Sequence, residues 1–250
     1  MSFEQIADVR ELVLRAGKMA QDLRASLSVD LKSDGSFVTN ADRAVERFLR
    51  ENLAEVLPGS TVWGEEEGFF EPGSAGLWVL DPIDGTTNFR FGSRHWGVSL
   101  AYVYGGEILA GWIFMPDLDE LYSATLGGGA FRNDVRLLDV PAGDIANNDL
   151  VSFGDETLLQ FHGLLRGKMR YQGAFVADMV QFLNGVYRGM ITDKGALYDV
   201  AAGLCLAREI GAEIQHLDGT PVDLQTLMGS PKLPKPIFFG PKGHSFVVSG

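Results

Sequence analysis

Trp78-Val79-Leu80-Asp81-Pro82-Ile83-Asp84-Gly85-Thr86-Thr87-Asn88-Phe89 joins an apolar, β-prone run to a cluster of acids, hydroxyls and a glycine. Trp78 to Leu80 predicts a buried strand, and Pro82, which cannot donate to a strand ladder, predicts that the strand ends near Asp81. The acids are then expected on a turn and not within a sheet. Gly85 can take a backbone conformation closed to other residues, and Thr86 or Thr87 can cap a following helix. Such a turn aims the Asp81 and Asp84 carboxylates and the free backbone amides the same way. Carboxylate oxygens and backbone carbonyls select hard cations such as magnesium, while amides at a helix start hold a phosphate. The same residues also serve any tight connection, and the acids lack the alternate spacing and distant Glu of an EF-hand loop.

Upstream, Ser60-Thr61-Val62-Trp63-Gly64-Glu65-Glu66-Glu67-Gly68 repeats the design: a short apolar strand breaks at glycine and releases acids. Glu65 to Glu67 read either as a solvated charge run or, with Glu65 at a strand end, as part of a ligand cluster gathered at the edge of a sheet. Downstream, Asp199 stands in front of Leu204, Ala207 and Ile210 at helical spacing, with Gly211 as the stop. It is therefore expected to be an N-cap. A cap with one oxygen turned outward is still free to bind a cation.

Farther out, Ile6, Val9, Val13 and Ala16 predict a first helix over about Glu4 to Leu23. Thr39 and Asp42 form a capping box for a second, whose buried stripe is Val45, Phe48, Leu49 and Leu53. From about Ser60 to Phe131 strands follow, and His95–Tyr104, Glu107–Phe114 and Glu120–Ala124 between Gly-Gly and Pro-Asp turns predict an antiparallel meander. Beyond Val135 the pattern changes to strands at Leu150–Phe153, Tyr171 and Met190–Thr192 between helices, notably Phe175–Asn184. The 250-residue chain thus divides into an α+β half, 1–134, and an α/β half, 135–250, with no repeat and no clear linker.

The formal net charge of -12 speaks against a nucleic-acid backbone as partner. A phosphorylated ligand approaching this chain needs bound cations to reverse the sign locally. No apolar run reaches the length of a membrane span, and the start lacks the basic-then-apolar order of a signal peptide, so a cytoplasmic location is expected. Cys205 is the only cysteine, which rules out an internal disulfide, and its place in an Ala-rich run predicts a small core residue.

Together these segments carry a resemblance. Gly64-Glu65-Glu66, the long run Trp78 to Phe89, and Tyr198-Asp199-Val200-Ala201-Ala202-Gly203 resemble the signatures of the inositol monophosphatase family, magnesium-dependent and lithium-sensitive phosphatases. Lys32 to Asp42, Leu121 to Asn133 and Gly173 to Asp178 add weaker support in the same order. The resemblance implies an α/β layered fold, an α-β-α-β-α sandwich with the active site between the halves, and a homodimer. It implies that Glu65, Asp81 and the backbone carbonyl of Ile83 hold one Mg2+, and that Asp81, Asp84 and Asp199 hold a second, with Mn2+ as a substitute. Thr86 would orient the attacking water together with Glu65, Asp42 would fix the Thr86 hydroxyl, and Gly85, Thr86 and nearby amides would bind phosphate. Gly173, Ala174 and Phe175 match a segment that touches the substrate, alongside Asp84, Thr192 and Asp199. The implied reaction is hydrolysis of a small phosphorylated metabolite by a two-metal activated water, with neither nucleic acid nor membrane as partner.

Several positions depart from the family pattern. Tyr198 stands where Trp is usual, Thr192 stands where a Glu commonly contacts the inositol ring, and Phe175 is bulkier than the usual residue. Arg90, Arg94 and His95 read as surface charges or as contacts to a second anionic group. The span between Phe153 and Tyr171 is shorter than the family pattern. Histidinol phosphate and fructose 1,6-bisphosphate therefore stay open as substrates beside inositol, polyol or sugar monophosphates, as does a non-catalytic metal-binding relative.

Overall fold

The computed structural model describes residues 1–68, 71–154, 165–193, 195–230 and 232–246. Helix α1, Phe3–Leu23, starts at Ser2, whose hydroxyl accepts from the Gln5 amide while the Gln5 side chain reaches back. Helix α2, Asn40–Val56, starts in the same way at Thr39 with Asp42 as the reciprocal partner, as the sequence predicts. Between them a hairpin pairs β1, Val29–Leu31, antiparallel with β2, Phe37–Thr39.

A seven-stranded sheet runs in the order β3-β4-β5-β6-β7-β8-β9. Its strands are β3 Thr61–Gly64, β4 Leu77–Asp84, β5 Gly97–Tyr104, β6 Glu107–Met115, β7 Glu120–Thr125, β8 Gly129–Arg132 and β9 Val135–Arg136. β3 is parallel to β4, and every later pairing is antiparallel, which is the expected meander. Alternation sorts its side chains by face. Trp78, Leu80, Leu100 and Trp112 meet α1 and α2 on one side. Val79, Ala101, Ile113 and Tyr122 meet α4, Phe175–Leu183, and α5, Leu197–Glu209, on the other.

Those two helices are sandwiched. Their far side packs on a five-stranded sheet of order β11-β10-β12-β14-β13, made of β10 Leu150–Phe153, β11 Lys168–Arg170, β12 Tyr187–Thr192, β13 Glu213–His216 and β14 Ile237–Gly240. Two further short α-helices among the described residues are α3, Thr86–Arg90, and α6, Leu224–Met228. Met190 and Phe239 face α4 and α5, whereas Ile191 and Phe238 point the other way into a small outer core with Val151 and Phe153. Among the described residues no helix covers that outer face; residues 155–164, on which the expected shortening between Phe153 and Tyr171 falls, lie outside the described residues. No helix of the described residues is long and apolar enough to cross a membrane.

Two expectations about strands are corrected. β4 does not stop at Asp81 but continues to Asp84. Its register on β5 slips, with Asp81 opposite Ser99 and Asp84 opposite Gly97, so Pro82 and Ile83 bulge against a single residue. A bulge leaves residues without ladder bonds, which is where proline is tolerated in a strand. The Ile83 amide turns to Asp81 Oδ1 at 3.0 Å. Tyr171 is not in a strand either: β11 ends at Arg170, and the chain then has to reach Gly173, at φ 82°, to enter α4. Cys205 is buried in α5, as expected.

Candidate metal and phosphate site

The bulged end of β4 supplies Asp81 and Asp84, and the first turn of α5 supplies Asp199. One oxygen from each lies within 4.8 Å of the other two. Asp199 is not the N-cap that its helical spacing suggests. Ala196 takes that place, and Asp199, the third helical residue, reaches back so that Oδ2 accepts from the Ala196 amide at 2.5 Å. Gly195 makes the room: a side chain there would stand 2.5 Å from the same oxygen. Asp84 Oδ2 accepts from the Val176 amide at 2.5 Å, which ties the strand end to the first turn of α4.

Burial, followed by the charges of neighbouring acids, raises the Asp81 and Asp199 carboxyls well above their usual range. Burial pushes Asp84 up to about 7. Three desolvated carboxylates so close together are costly as anions unless a cation joins them. The donors are all hard oxygens, with no His or Cys among them, a set that suits magnesium or manganese.

Around this cluster the other expected residues fall into place unequally. Thr86 opens α3, with its Oγ1 3.2 Å from Asp42 Oδ1 and 3.1 Å from the Ile83 carbonyl oxygen. Asp42 is itself held, since its Oδ2 accepts from the Thr39 amide at 2.9 Å and the Thr39 hydroxyl at 2.5 Å. Gly85 precedes Thr86 at φ 87°, and a Cβ there would come within 2.7 Å of the Ala174 methyl. Glu65 stands outside the group of three. Its Oε1 accepts from Lys32 Nζ at 2.7 Å, although its charge is felt at both Asp81 and Asp84. Lys32 also reaches Glu66 at 2.7 Å. Burial alone would lower the Lys32 ammonium, but the Glu65 charge and the hydrogen bonds outweigh it, and the net shift is upward. Burial pushes Glu66 up to about 7.

A cleft of about 170 Å³ opens beside Asp84 and Asp199 and is lined by Gly173, Ala174, Phe175 and Thr192. The structure therefore brings together the residues expected to touch a substrate. The bulk of Phe175 is absorbed below, its ring 6.0 Å from that of Phe239 and seated on Gly203, where a side chain would meet it at 2.7 Å. Tyr198 packs edge-on against Trp63 at 6.4 Å, so an aromatic ring fills the position where Trp is usual. Arg90 and Arg94 do not line the cleft. The Arg90 guanidinium stacks 4.1 Å over Phe37, and Arg94 Nε donates to the Asp117 carbonyl at 3.1 Å. The His95 carbonyl accepts from Asn88 at 2.6 Å. A larger cleft of about 600 Å³, bordered by Arg136, Leu138 and Arg188, contains none of these acids, so size does not mark the site.

Sequence reasoning passed over two polar residues here. Asp178 lies in the cleft wall one turn into α4, and burial pushes it up to about 7. Glu46, fully buried on α2, accepts from the amides that follow Glu65. The signal for both was an acid on an apolar helix face, since Glu46 falls between Val45 and Leu49 and Asp178 between Ala177 and Met179.

Known proteins resemble this chain in sequence and in fold. The model of the inositol monophosphatase family matches residues 3–231. The inositol-1-monophosphatase of Rhizobium meliloti (strain 1021) is 36% identical over 224 residues, 84% of either chain. The histidinol-phosphatase of Chlorobaculum parvum is 40% identical over 125 residues, 49% of this chain and 48% of its own. The solved Thermotoga maritima IMPase superposes with a TM-score of 0.83 at 26% identity, over 95% of this chain and 92% of its own. With the family's fold and its acids converging at one strand end, the chain belongs to the inositol monophosphatase family and is a phosphoric monoester hydrolase.

Proposed function

We propose that this phosphatase hydrolyses a small phosphate monoester with the help of Mg2+, for which Mn2+ can substitute. The observation that carries this reading is the convergence of Asp81, Asp84 and Asp199 beside a cleft of about 170 Å³. Asp81, Asp84 and Asp199, with Glu65 and the Ile83 carbonyl, would hold the cations. Bound there, they supply Lewis acidity that acidifies water and neutralises charge on the leaving oxygen. The protein's own groups do the positioning. With its proton aimed at Asp42 or at the Ile83 carbonyl, the Thr86 hydroxyl turns a lone pair toward the attacking water, and Glu65 takes the other side of that water. Asp42, pinned by Thr39, keeps the Thr86 hydroxyl from rotating. The Gly85 and Thr86 amides meet the phosphate, and Gly173, Ala174, Phe175 and Thr192 meet the alcohol. A cytoplasmic homodimer whose 1–134 and 135–250 halves flank the site belongs to the same reading.

Thr192, short and uncharged, offers a ring hydroxyl less than a carboxylate would, which supports a site of broad specificity. The local likeness to a histidinol-phosphatase keeps histidinol phosphate as the second reading. A non-catalytic role is disfavoured by the retention of three clustered acids, two of them buried. The test is phosphate release from inositol 1-phosphate, glycerol 2-phosphate, histidinol phosphate and fructose 1,6-bisphosphate by protein stripped with chelator. We expect no turnover in chelator and recovery with Mg2+ or Mn2+. Full turnover in chelator overturns the metal assignment.

A further inference from the structure

Residues Gly64 to Gly68 close a tight turn, in which the Gly68 amide donates to the Gly64 carbonyl at 3.1 Å. Such a turn points successive backbone amides at one spot and so makes an anion nest. Here the anion is a side chain of the same chain. Glu46 Oε2 accepts from the Glu66 amide at 2.9 Å and Oε1 from the Glu67 amide at 3.0 Å. Arg50, one helical turn on, donates to Oε1 at 2.9 Å and balances the charge. The fit leaves no slack, because a methyl group at Gly64 would overlap the Glu46 carboxylate.

We propose that Glu46 is a positioning residue for the candidate cation ligand Glu65, which it holds in place by gripping the two backbone amides that follow it. The inference rests on the reading of Glu65 as a cation ligand. Glu65 has one backbone anchor on its sheet side, its amide donating to the Leu80 carbonyl at 3.2 Å. Its side chain is drawn toward Lys32. The Glu46 grip supplies the second anchor and keeps the turn from following Lys32 away from Asp81. Asp42, which faces Thr86, and Glu46 are one turn apart on α2, about 6 Å along its axis. One rigid helix thus sets both side chains assigned to the attacking water.

Glu46→Gln keeps the shape but aims an NH2 group at a backbone N–H. Mg2+ is titrated calorimetrically into chelator-stripped wild type and variant, and phosphate release is followed against Mg2+ concentration. Partners behind metal ligands typically tune affinity by 10–100-fold. We therefore expect Glu46→Gln to weaken Mg2+ binding about tenfold or more, with most of the rate restored at high Mg2+. Leu53→Val, on the same helix away from the turn, should lower Tm and leave Mg2+ affinity unchanged. Equal Mg2+ affinity in Glu46→Gln and wild type overturns the proposal, as does an equal loss in Leu53→Val. Should Glu46→Gln fail to fold, Gly64→Ala presses on the same carboxylate from the strand side and carries the same expectation. A wild type that binds Mg2+ but releases no phosphate sinks the catalytic reading alone, and the calorimetric comparison still decides the role of Glu46.

Discussion

Asp84 shows how one side chain serves packing and chemistry in opposite senses. One oxygen holds the Val176 amide, yet burial disfavours its charge, so that without a cation the carboxyl keeps its proton up to about pH 7. Asp84→Asn keeps a carbonyl oxygen for Val176 and removes the charge. Turnover at saturating Mg2+ should fall on the order of 100-fold or more, while the chelator-stripped variant at pH 8 melts at or above the wild-type temperature. Near-native turnover, or gross unfolding by circular dichroism, would contradict this. At this scale the sequence was a good guide to the acids, because Asp81, Asp84 and Asp199 stand in dense local patterns. It was a poor guide to what holds them. The contacts of Lys32 with Glu65 and of Glu46 with Glu66 span long stretches of chain that only the fold closes.

The elements show where local rules are overridden. Pro82 carries a correct instruction, no ladder donor, but the strand answers with a bulge and not with an end. The acids therefore project from a pinned strand and not from a free turn. Asp199 departs from the expected N-cap for a related reason: helical spacing locates α5, but which residue caps it depends on the extended backbone of Ala196. The join of β4 to α3 turns on Gly85. Gly85→Ala faces both a left-handed backbone and the Ala174 methyl at 2.7 Å. We expect it to cost about 1–3 kcal/mol by urea denaturation, with a loss of phosphate release larger than the stability change explains. Wild-type kinetics in that variant would show that the turn does not set Thr86.

Over the whole molecule the buried acids write a pH dependence. Burial raises Asp42, Asp81 and Asp199, and it carries Asp84, Glu66 and Asp178 to about 7. Each folded value lies above its unfolded one, so the folded chain binds more protons over the intervening range. The stabilisation is complete below about pH 4, and for Asp84, Glu66 and Asp178 it is lost as pH rises through 7, with Asp42, Asp81 and Asp199 acting in the same direction. Chelator-stripped protein should therefore lose stability between pH 5.5 and 8, on the order of a few kcal/mol after discounting the partly solvated Glu66. The Tm gain on adding Mg2+ should grow over the same range. A flat or rising Tm without cation would refute it. The layered fold class was legible at this scale because helical and alternating periods occupy long stretches. The order of the second sheet was not, since nothing local announces that β14 pairs between β12 and β13.

That interposed strand has a consequence for synthesis on the ribosome. β12 ends at Thr192, and its partner β14 begins only at Ile237. During translation β12 waits, unpaired on its β14 side, until Ile237–Gly240 has emerged, whereas the seven-stranded sheet, built from neighbours in sequence, is free to assemble early. Pairings of long sequence separation form late and expose strand edges meanwhile. A half-made protein thus carries Asp81 and Asp84 on a sheet built from neighbouring segments, while the second sheet, packed against α5, still waits for Ile237–Gly240 to join β12 and β13.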